Sequence, residues 1–250
     1  MLLSVIIENI ETFAPIGLAE AWDNVGLMVG DPDMEIKKAV VVLDVTENVI
    51  DFAIYNGCEL IISHHPFIMS LGKNMALDNH LNKMIYKLIK NDIAVYSMHT
   101  NFDSCTGGVN TVICEKLGLL GYETDEPCTI MSGRLPEEKT LSEFIDMVKE
   151  AFSVSCVSYS GNLDKKINTV AVCGGSGGSF LDMARDADVY LTGEAKYHDF
   201  QHALSINLPL VTAGHFETEN PSLYKIRDML SAMNITVLNP DIHNGFSKLR

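Results

Sequence analysis

Residues 40–66 read VVVLDVTENVIDFAIYNGCELIISHHP, and this stretch decides the fold class of the chain. Its apolar run Val40–Leu43 predicts a buried strand, and Leu60–Ile62 predicts a second one. Between them, apolar residues recur at helical spacing, and the pattern ends at Gly57, a residue type common at helix C-termini. A strand, a helix and a strand in this order are typical of parallel pairing, so the stretch predicts an α/β protein.

The second half of the chain repeats this pattern. There, VAVC leads through GGSGG and a predicted helix to VYLT. The first segment reaches His64 24 positions after Val40 (64 − 40), and the second reaches Glu194 24 positions after Val170 (194 − 170). Each half then adds a helix and a strand that ends in a histidine with a carboxylate four residues later. Simple α/β patterns also match by coincidence, but the matched endings favour an internal duplication.

We therefore expect two related α/β domains with mostly parallel or mixed sheets. Residues 123–136 carry three acids, two prolines and a glycine, which makes them the best linker candidate. The predicted division places residues 1–125 and 211–250 in one domain and residues 126–210 in a second, inserted domain. Just inside the inserted domain, Thr140-Leu-Ser-Glu143 has the pattern of a capping box that opens a helix.

Composition narrows the classes of function. The chain has 18 basic and 33 acidic residues and a net charge of −15, so non-specific nucleic-acid binding is not expected. Its six cysteines form no CxxC pair, which favours reduced thiols in a cytoplasmic protein over a disulfide framework or zinc knuckle. The start, MLLSVIIENIETFAP, lacks a basic region and carries two acids, unlike a signal peptide. No apolar run reaches membrane-spanning length.

Polar residues gather where the predicted strands end. Six side chains of metal-ligand type lie at three such ends: His64, His65, His99, Asp103, His215 and Glu219. Open α/β sheets bind ligands beyond the carboxyl ends of their strands. Before Pro66, both imidazoles of the HH pair can turn toward one cleft. A single histidine at a strand end is more often a hydrogen-bonded structural residue. The full set instead suits a dinuclear site for Zn, Mn, Fe or a similar ion.

Weaker candidates have a structural explanation. Gly174–Gly178 can form a backbone nest for an anion, but a tight strand–helix turn explains it better, since no lysine follows as in a P-loop. His198 and Asp199 can line the same cleft, or serve as surface and capping residues. Asp23 and Asn24 can reach the cleft or form a turn. Three further histidines show no partner pattern and are interpreted as surface residues: His80, His202 and His243.

Five motifs together support a family resemblance: AWDNVGLMVGD, LIISHHPFI, SMHTNFDSCTGGVN, YLTGEAKYHD and AGHFETE. Over nearly its whole length the chain resembles the GTP cyclohydrolase 1 type 2 homologues, also called Ngg-interacting-factor-three-like proteins, in their short form. The resemblance implies a two-domain α/β fold, a dinuclear metal site in the interdomain cleft and a homohexameric ring. The metal ligands that it implies by motif are His64, His65, Asp103, His215 and Glu219.

The leading hypothesis is a metal-dependent hydrolase that acts on GTP, another nucleotide or another phosphorylated small molecule. Paired ions generate hydroxide near neutral pH and polarise the bond that breaks. His99 lies beside the site but outside the implied ligand set, so we interpret it as an acid–base group; support of Asp103 is its alternative role. Two other classes stay open: a non-enzymatic protein that stores, inserts or senses metal, and a ring-shaped interaction scaffold.

Overall fold

The computed structural model describes residues 1–122 and 129–240 and divides the chain into two compact units. The first unit consists of Met1–Phe102 and Leu223–Arg250, and the second is the continuous segment Asp103–Ser222. Each unit contains one five-stranded mixed sheet with helices packed on it. The predicted α/β class is confirmed.

Strands and helices alternate along most of the described chain. The strands are β1 (Gly26–Val29), β2 (Lys38–Val42), β3 (Leu60–Ser63), β4 (Ala94–Ser97), β5 (Met131–Thr140), β6 (Ser158–Ser160), β7 (Lys166–Cys173), β8 (Val189–Thr192), β9 (Leu210–Thr212) and β10 (Thr236–Leu238). The α-helices are α1 (Leu3–Phe13), α2 (Glu47–Asn56), α3 (His80–Lys90), α4 (Thr100–Ser104), α5 (Val109–Lys116), α6 (Leu141–Phe152), α7 (Tyr197–Ser205), α8 (His215–Glu219) and α9 (Leu223–Ala232). Short 3₁₀ helices cover Ile16–Leu18, Gly178–Ala184 and Asn220–Ser222.

The sheet of the first unit has the order β1-β4-β3-β2-β10. Strands β10, β2, β3 and β4 run parallel, and β1 lies antiparallel to β4 at one edge. Strands β3 and β4 are buried along their whole length, as their runs of apolar residues predict. Ile50 of α2 and Leu88 of α3 pack with Ile61 of β3 in the core. Gly57 ends α2 in the left-handed conformation, with φ 63°.

The sheet of the second unit has the order β5-β7-β8-β9-β6. Strands β7, β8 and β9 run parallel, whereas β5 and β6 are antiparallel edge strands. Tyr190 of β8 and Leu210 of β9 lie in its core with Ala203 of α7. The predicted capping box is confirmed, since the amide of Thr140 donates to the Glu143 carboxylate (2.6 Å) and the amide of Glu143 donates to the Thr140 hydroxyl (3.2 Å).

The two sheets share part of their strand order, as the predicted internal repeat requires. In each, three parallel strands that are consecutive along the chain have an antiparallel edge strand beside the third, but the opposite edge strand is parallel in the first sheet (β10) and antiparallel in the second (β5). The crossovers differ, because α2 joins β2 to β3 whereas the 3₁₀ helix Gly178–Ala184, where an α-helix was predicted, joins β7 to β8. Paired residues at the strand ends are 21 positions apart in the first unit (Val42 and Ser63, 63 − 42) and 19 in the second (Cys173 and Thr192, 192 − 173), so the second crossover is shorter. The equal spacing of 24 residues therefore does not connect equivalent positions.

The compact units break at points that differ from the predicted domain bounds. Strand β9 pairs with β8 and β6, so the start of the predicted segment 211–250 belongs to the second sheet. Helix α5 packs on β5 and β7 of that sheet. Such long-range pairings leave no local signal in the sequence. The linker interpretation was wrong for residues 131–136, which begin β5, and residues 123–128 lie outside the described part of the chain.

Two sequence-based exclusions can be compared with the structure. Across residues 1–122 and 129–240, none of the helices combines the length and the apolar character needed to cross a bilayer. Among the described cysteines, Cys58, Cys114, Cys156 and Cys173 are free thiols. Cys128 lies outside the described residues.

Candidate metal centre

In the first unit, the candidate histidines lie directly beyond the carboxyl ends of neighbouring parallel strands. His64 and His65 follow β3, and His99 comes two residues after the end of β4. The HH pair prolongs the sheet, since the amide of His64 donates to the carbonyl of Val42 (3.0 Å) and that of His65 to Leu43 (2.9 Å). Their rings nevertheless approach each other, with centroids 5.1 Å apart, as expected at a strand exit before proline.

His99 completes a cluster of three imidazoles within the first unit. Its ring centroid lies 5.2 Å from that of His64 and 5.7 Å from that of His65. One ring nitrogen from each of the three residues lies within 4.8 Å of the other two. This spacing suits nitrogens that surround an ion with bonds of about 2 Å. The cluster can therefore hold a divalent metal ion.

All three rings are anchored through the same nitrogen, Nδ1, by an oxygen atom. The distances are 3.0 Å for His64 to the carbonyl of Met98, 2.8 Å for His65 to Oδ1 of Asp44, and 3.0 Å for His99 to Oδ1 of Asp23. A carbonyl or carboxylate oxygen only accepts a hydrogen bond, so each neutral ring carries its proton on Nδ1. Nε2 then keeps its lone pair for an ion. Histidines that bind metals usually have this arrangement.

Asp23, the anchor of His99, is itself firmly held. Its side chain is fully buried and accepts hydrogen bonds from the amide (3.0 Å) and hydroxyl of Thr100. Burial alone would raise the pKa of Asp23, but the hydrogen bonds from Thr100 and His99 outweigh it and keep that pKa below its usual value. Burial, followed by the charge of His64, lowers the pKa of His99 against the opposing effect of Asp23. An anchored, neutral His99 can accept a proton at Nε2.

Asp103 lies on α4, four residues after His99, at the point where the chain enters the second unit. Asn101 fixes the start of this helix, because its Oδ1 accepts from the His99 amide (2.9 Å) and its Nδ2 donates to Ala14 (2.8 Å). Within the second unit, Asp103 is in electrostatic reach of Cys173 at the end of β7. Burial, and then the charge of Asp103, raises the pKa of the Cys173 thiol to about 12.

The second unit brings together His215 and Glu219, the first and last residues of α8. Nε2 of His215 lies 3.0 Å from Oε2 of Glu219, which is only 3% exposed. Nδ1 of the same ring lies 3.3 Å from Oε2 of Glu194, a more exposed side chain. The sequence analysis placed Glu194 at a strand end but missed its contact with His215. The two carboxylates lie at opposite nitrogens of the ring, so Nε2 and the Glu219 carboxylate form the pair of neighbouring donors, of a type that divalent transition metals accept.

The Gly174–Gly178 turn brings the backbone close to this pair. Its amides donate to side-chain oxygens: Gly174 to Asn110 (2.9 Å), Gly175 to Thr218 (3.1 Å) and Gly177 to Thr192 (2.9 Å). These N–H groups already have acceptors, which disfavours an anion nest and supports the tight-turn interpretation. Gly175 has φ +58°, and a Cβ there would overlap Oε1 of Glu219. Glycine is required at this position so that the buried carboxylate fits against the turn.

The remaining histidines of the described ranges form separate surface contacts. They are His198, 3.5 Å from Asp199; His80, 3.6 Å from Glu47; and His202, 2.9 Å from Asp182. Asp199 also accepts from the amide of Lys196 (2.6 Å) at the start of α7, which supports its capping role. His243 lies outside the described residues.

Sequence reasoning did not assign the side chains that orient the imidazoles. Asp44 follows the VVVL run directly, so its place at a strand end was a usable signal. Asp23 was considered for the site with Asn24, and the structure separates their roles. Asp23 anchors His99, whereas the Asn24 amide donates to Asp23 Oδ1 (2.8 Å) within a turn.

The chain matches known proteins over most of its length. A model of the Duf34/NIF3 (NGG1p interacting factor 3) family matches residues 1–244. A GTP cyclohydrolase 1 type 2 homolog from Clostridium acetobutylicum is 41% identical over 224 residues, which cover 86% of this chain and 84% of that protein. Reduced HcgD from Methanocaldococcus jannaschii has a TM-score of 0.84 at 32% identity, covering 97% of this chain and 98% of the other. A Bacillus cereus protein related to NIF3 has a TM-score of 0.87 at 25% identity, covering 100% and 99%.

Proposed function

This chain belongs to the Duf34/NIF3 family, and from that premise we propose that it is a divalent-metal-binding protein that hydrolyses a nucleotide. Relatives that carry the name GTP cyclohydrolase 1 type 2 homolog make GTP the first substrate to consider. In that reaction the purine ring opens at C8 and formate is released. Another nucleotide or phosphorylated small molecule would need the same metal-assisted hydrolysis.

The shared anchoring of His64, His65 and His99 is the observation that supports metal binding. An oxygen on each Nδ1 fixes the tautomer, which leaves Nε2 of His64 and His65 for an ion and Nε2 of His99 for proton transfer. Structural histidines at a surface have no reason to share this arrangement within one cluster. Imidazole and carboxylate donors together favour Zn, Mn or Fe over Ca and Mg, which prefer sites made of oxygen alone.

We propose that five side chains bind about two metal ions: His64, His65, Asp103, His215 and Glu219. The family resemblance carried by the HHP, HTNFD and GHFETE motifs supports this set. Five protein ligands are fewer than two complete coordination shells need, so positions stay open to water or substrate. Open positions are what a hydrolase requires and a storage site does not.

The chemistry then divides between the ions and His99. Bound divalent ions would supply hydroxide near neutral pH and polarise the bond that breaks. In GTP ring opening, one water adds to C8 and a C8–N bond breaks, which gives a formamide; a second water releases formate and leaves the amine. A proton must reach the departing nitrogen at each cleavage. His99 would carry it on Nε2, because Asp23 holds the proton on Nδ1.

Elemental analysis of reconstituted protein tests the ligand assignment. We expect about two ions per chain in the wild type and fewer in His65→Ala and Glu219→Gln, because each substitution removes a donor atom. His202→Ala is the matched control, since it removes an exposed imidazole paired with Asp182. Full occupancy in the double variant His65→Ala, Glu219→Gln would contradict the assignment.

A turnover assay separates the hydrolase from a metal carrier. Metal-loaded protein is offered GTP with formate as the readout, and then other nucleotides and phosphoesters. We expect His99→Ala to keep its metal and to lose roughly 10²–10⁴-fold in turnover, the usual loss when acid–base assistance is removed. If no substrate is turned over while the ions pass readily to a chelator or an apo-enzyme, a storage or insertion function replaces the hydrolase.

The proposal includes a cytoplasmic location. Cys58, Cys114 and Cys173 are buried free thiols, as expected for a protein that folds in a reducing compartment. Thiol titration of anaerobically purified, denatured protein should find all six cysteines of the sequence reduced. A stable disulfide in that preparation would argue for an oxidising compartment.

A further inference from the structure

Trp22 presents an exposed indole beside the imidazole cluster. It is the only tryptophan in the sequence, and 62% of its surface is exposed. Its ring meets that of His99 edge to face, with centroids 5.9 Å apart and an interplanar angle of 76°. His99 in turn contacts the rings of His64 and His65. The large apolar indole of Trp22 is therefore exposed to solvent, and only the ring of His99 separates it from the candidate metal ligands His64 and His65.

The loop that carries Trp22 is fixed by the same bonds that hold His99. The amide of Asp23 donates to the carbonyl of Glu20 (2.9 Å), which closes a turn around Trp22. The amide of Glu20 donates to the hydroxyl of Thr100 (2.9 Å), and the buried Asp23 carboxylate accepts from Thr100 and His99. The backbone on either side of Trp22 is thus bonded to the same residues that hold His99.

Other exposed aromatic side chains have different surroundings. Tyr55, Tyr86 and Tyr197 are at least half exposed and lie on α2, α3 and α7. In the described part of the chain, no ring contact joins these three tyrosines to a histidine. Isolated exposed aromatic residues are common and need no function. Trp22 differs from them because it lies on a fixed loop against a candidate site residue.

The chemistry of the loop selects the kind of group that it can bind. The chain has a net charge of −15, and the residue after Trp22 is Asp23, whose carboxylate lies 3.0 Å from Nδ1 of His99, so this loop does not attract an anion by itself. An indole offers a flat π surface, on which aromatic rings stack with little regard to their substituents. A planar heteroaromatic ring fits this surface better than a phosphate or an aliphatic chain.

We propose that Trp22 stacks against the planar heteroaromatic ring of the substrate, a purine base in the first instance, and holds it beside His99. This rests on the proposed function, because a purine that reacts at C8 must have its ring next to the groups that carry out the reaction. Trp22 is a specificity residue in this account. It binds the ring and takes no part in bond breaking.

Because Trp22 is the only tryptophan, its intrinsic fluorescence reports on this site without a label. Metal-loaded, full-length protein is titrated with guanosine, GTP and inorganic triphosphate, and free N-acetyltryptophanamide corrects for absorption by the ligand. We expect quenching by guanosine and GTP, which share the ring, and none by inorganic triphosphate. Saturable quenching by inorganic triphosphate but not by guanosine would mean that the site recognises the charged phosphates and not the ring, and this outcome would overturn the proposal.

Calorimetry with substituted proteins measures how much the indole contributes to affinity. We expect Trp22→Ala to bind guanosine roughly 5- to 150-fold more weakly, the range of base–aromatic stacking, and Trp22→Phe to retain most of the affinity. Tyr197→Ala, on the exposed side of α7, is the matched control and should bind like the wild type. Equal affinity of wild type and Trp22→Ala, or no binding of guanosine at millimolar concentration, would overturn the proposal.

The outcomes keep stacking separate from hydrolysis. If guanosine binding depends on Trp22 but the protein turns over no nucleotide, the stacking proposal is supported and the hydrolase proposal is contradicted. If the protein turns over GTP and the KM is unchanged in Trp22→Ala, the hydrolase proposal is supported and the stacking proposal is contradicted. A rise in KM with little change in kcat is expected if both proposals hold, since stacking is uniform binding of the ring.

Discussion

Replacing Gly175 with alanine should separate the metal-binding role of the glycine turn from its role in the fold. The new Cβ would overlap Oε1 of Glu219 and lie 3.3 Å from Nε2 of His215. The carboxylate must then leave its present position, in which Oε2 lies 3.0 Å from Nε2 of His215. Because Glu219 is almost completely buried, a displaced carboxylate loses partners without gaining water, at a cost of about 1–3 kcal/mol.

Gly118 provides the matched control in the same unit. Its φ is +59°, close to the +58° of Gly175, but a Cβ at Gly118 meets nothing within 4 Å. Alanine in this conformation costs about 1–2 kcal/mol at either position. The expected loss in unfolding free energy is therefore about 1–2 kcal/mol for Gly118→Ala and about 2–5 kcal/mol for Gly175→Ala. Urea unfolding of the metal-free proteins measures both.

Metal affinity should separate the two variants further. Gly175→Ala displaces a proposed ligand, so we expect its affinity to fall at least tenfold, whereas Gly118→Ala should bind like the wild type. Equal stability of the two variants, with full metal content in Gly175→Ala, would refute the contact between the turn and Glu219. Metal loss in both variants would assign the effect to general destabilisation.

Three further predictions follow from other contacts. Asp44→Asn should weaken metal binding about 10–100-fold by loosening the anchor of His65, whereas Asp51→Asn, which alters an exposed pair with Lys87, should not. Asp188 accepts the amide of Thr169 (2.8 Å); burial alone would raise its pKa, but hydrogen bonds outweigh it and keep that pKa below its ordinary value. Asp188→Asn should therefore lower the free energy of unfolding by about 1–2 kcal/mol at pH 7. Urea unfolding should show that this difference becomes smaller as the pH falls through the pKa of Asp188 in the folded protein. Light scattering should show a homohexamer that responds to salt because each chain carries −15, and a monomer at micromolar concentration across moderate salt would contradict the assembly.

The strongly periodic elements could be predicted because the spacing of their apolar residues along the sequence shows which side chains are buried. Helix α2 spans Glu47–Asn56, where apolar residues recur at helical spacing before Gly57. Strand β3 coincides with the unbroken apolar run that begins at Leu60, and the capping box involves only Thr140 and Glu143, three positions apart. The strand-end histidines were also visible, because the exits of parallel strands can be located once the strands are known.

Edge strands and the type of crossover had no comparable signal. Strand β1, Gly26–Val29, was not predicted, and it is a strand because the backbone of β4 pairs with it. A short edge strand depends on its neighbour more than on its own pattern. The segment after Gly177 has apolar residues at helical spacing, but its amides and carbonyls close a 3₁₀ helix between two paired strands.

The pairing of each imidazole with its anchor depends on tertiary structure. His99 meets Asp23 across 76 positions, and His65 meets Asp44 across 21. That imidazoles and carboxylates would gather at strand ends could be predicted from residue order, because these residues directly follow the apolar runs that form the strands. Which carboxylate meets which ring depends on how separate loops pack, and that packing is a property of the whole sheet rather than of any short segment.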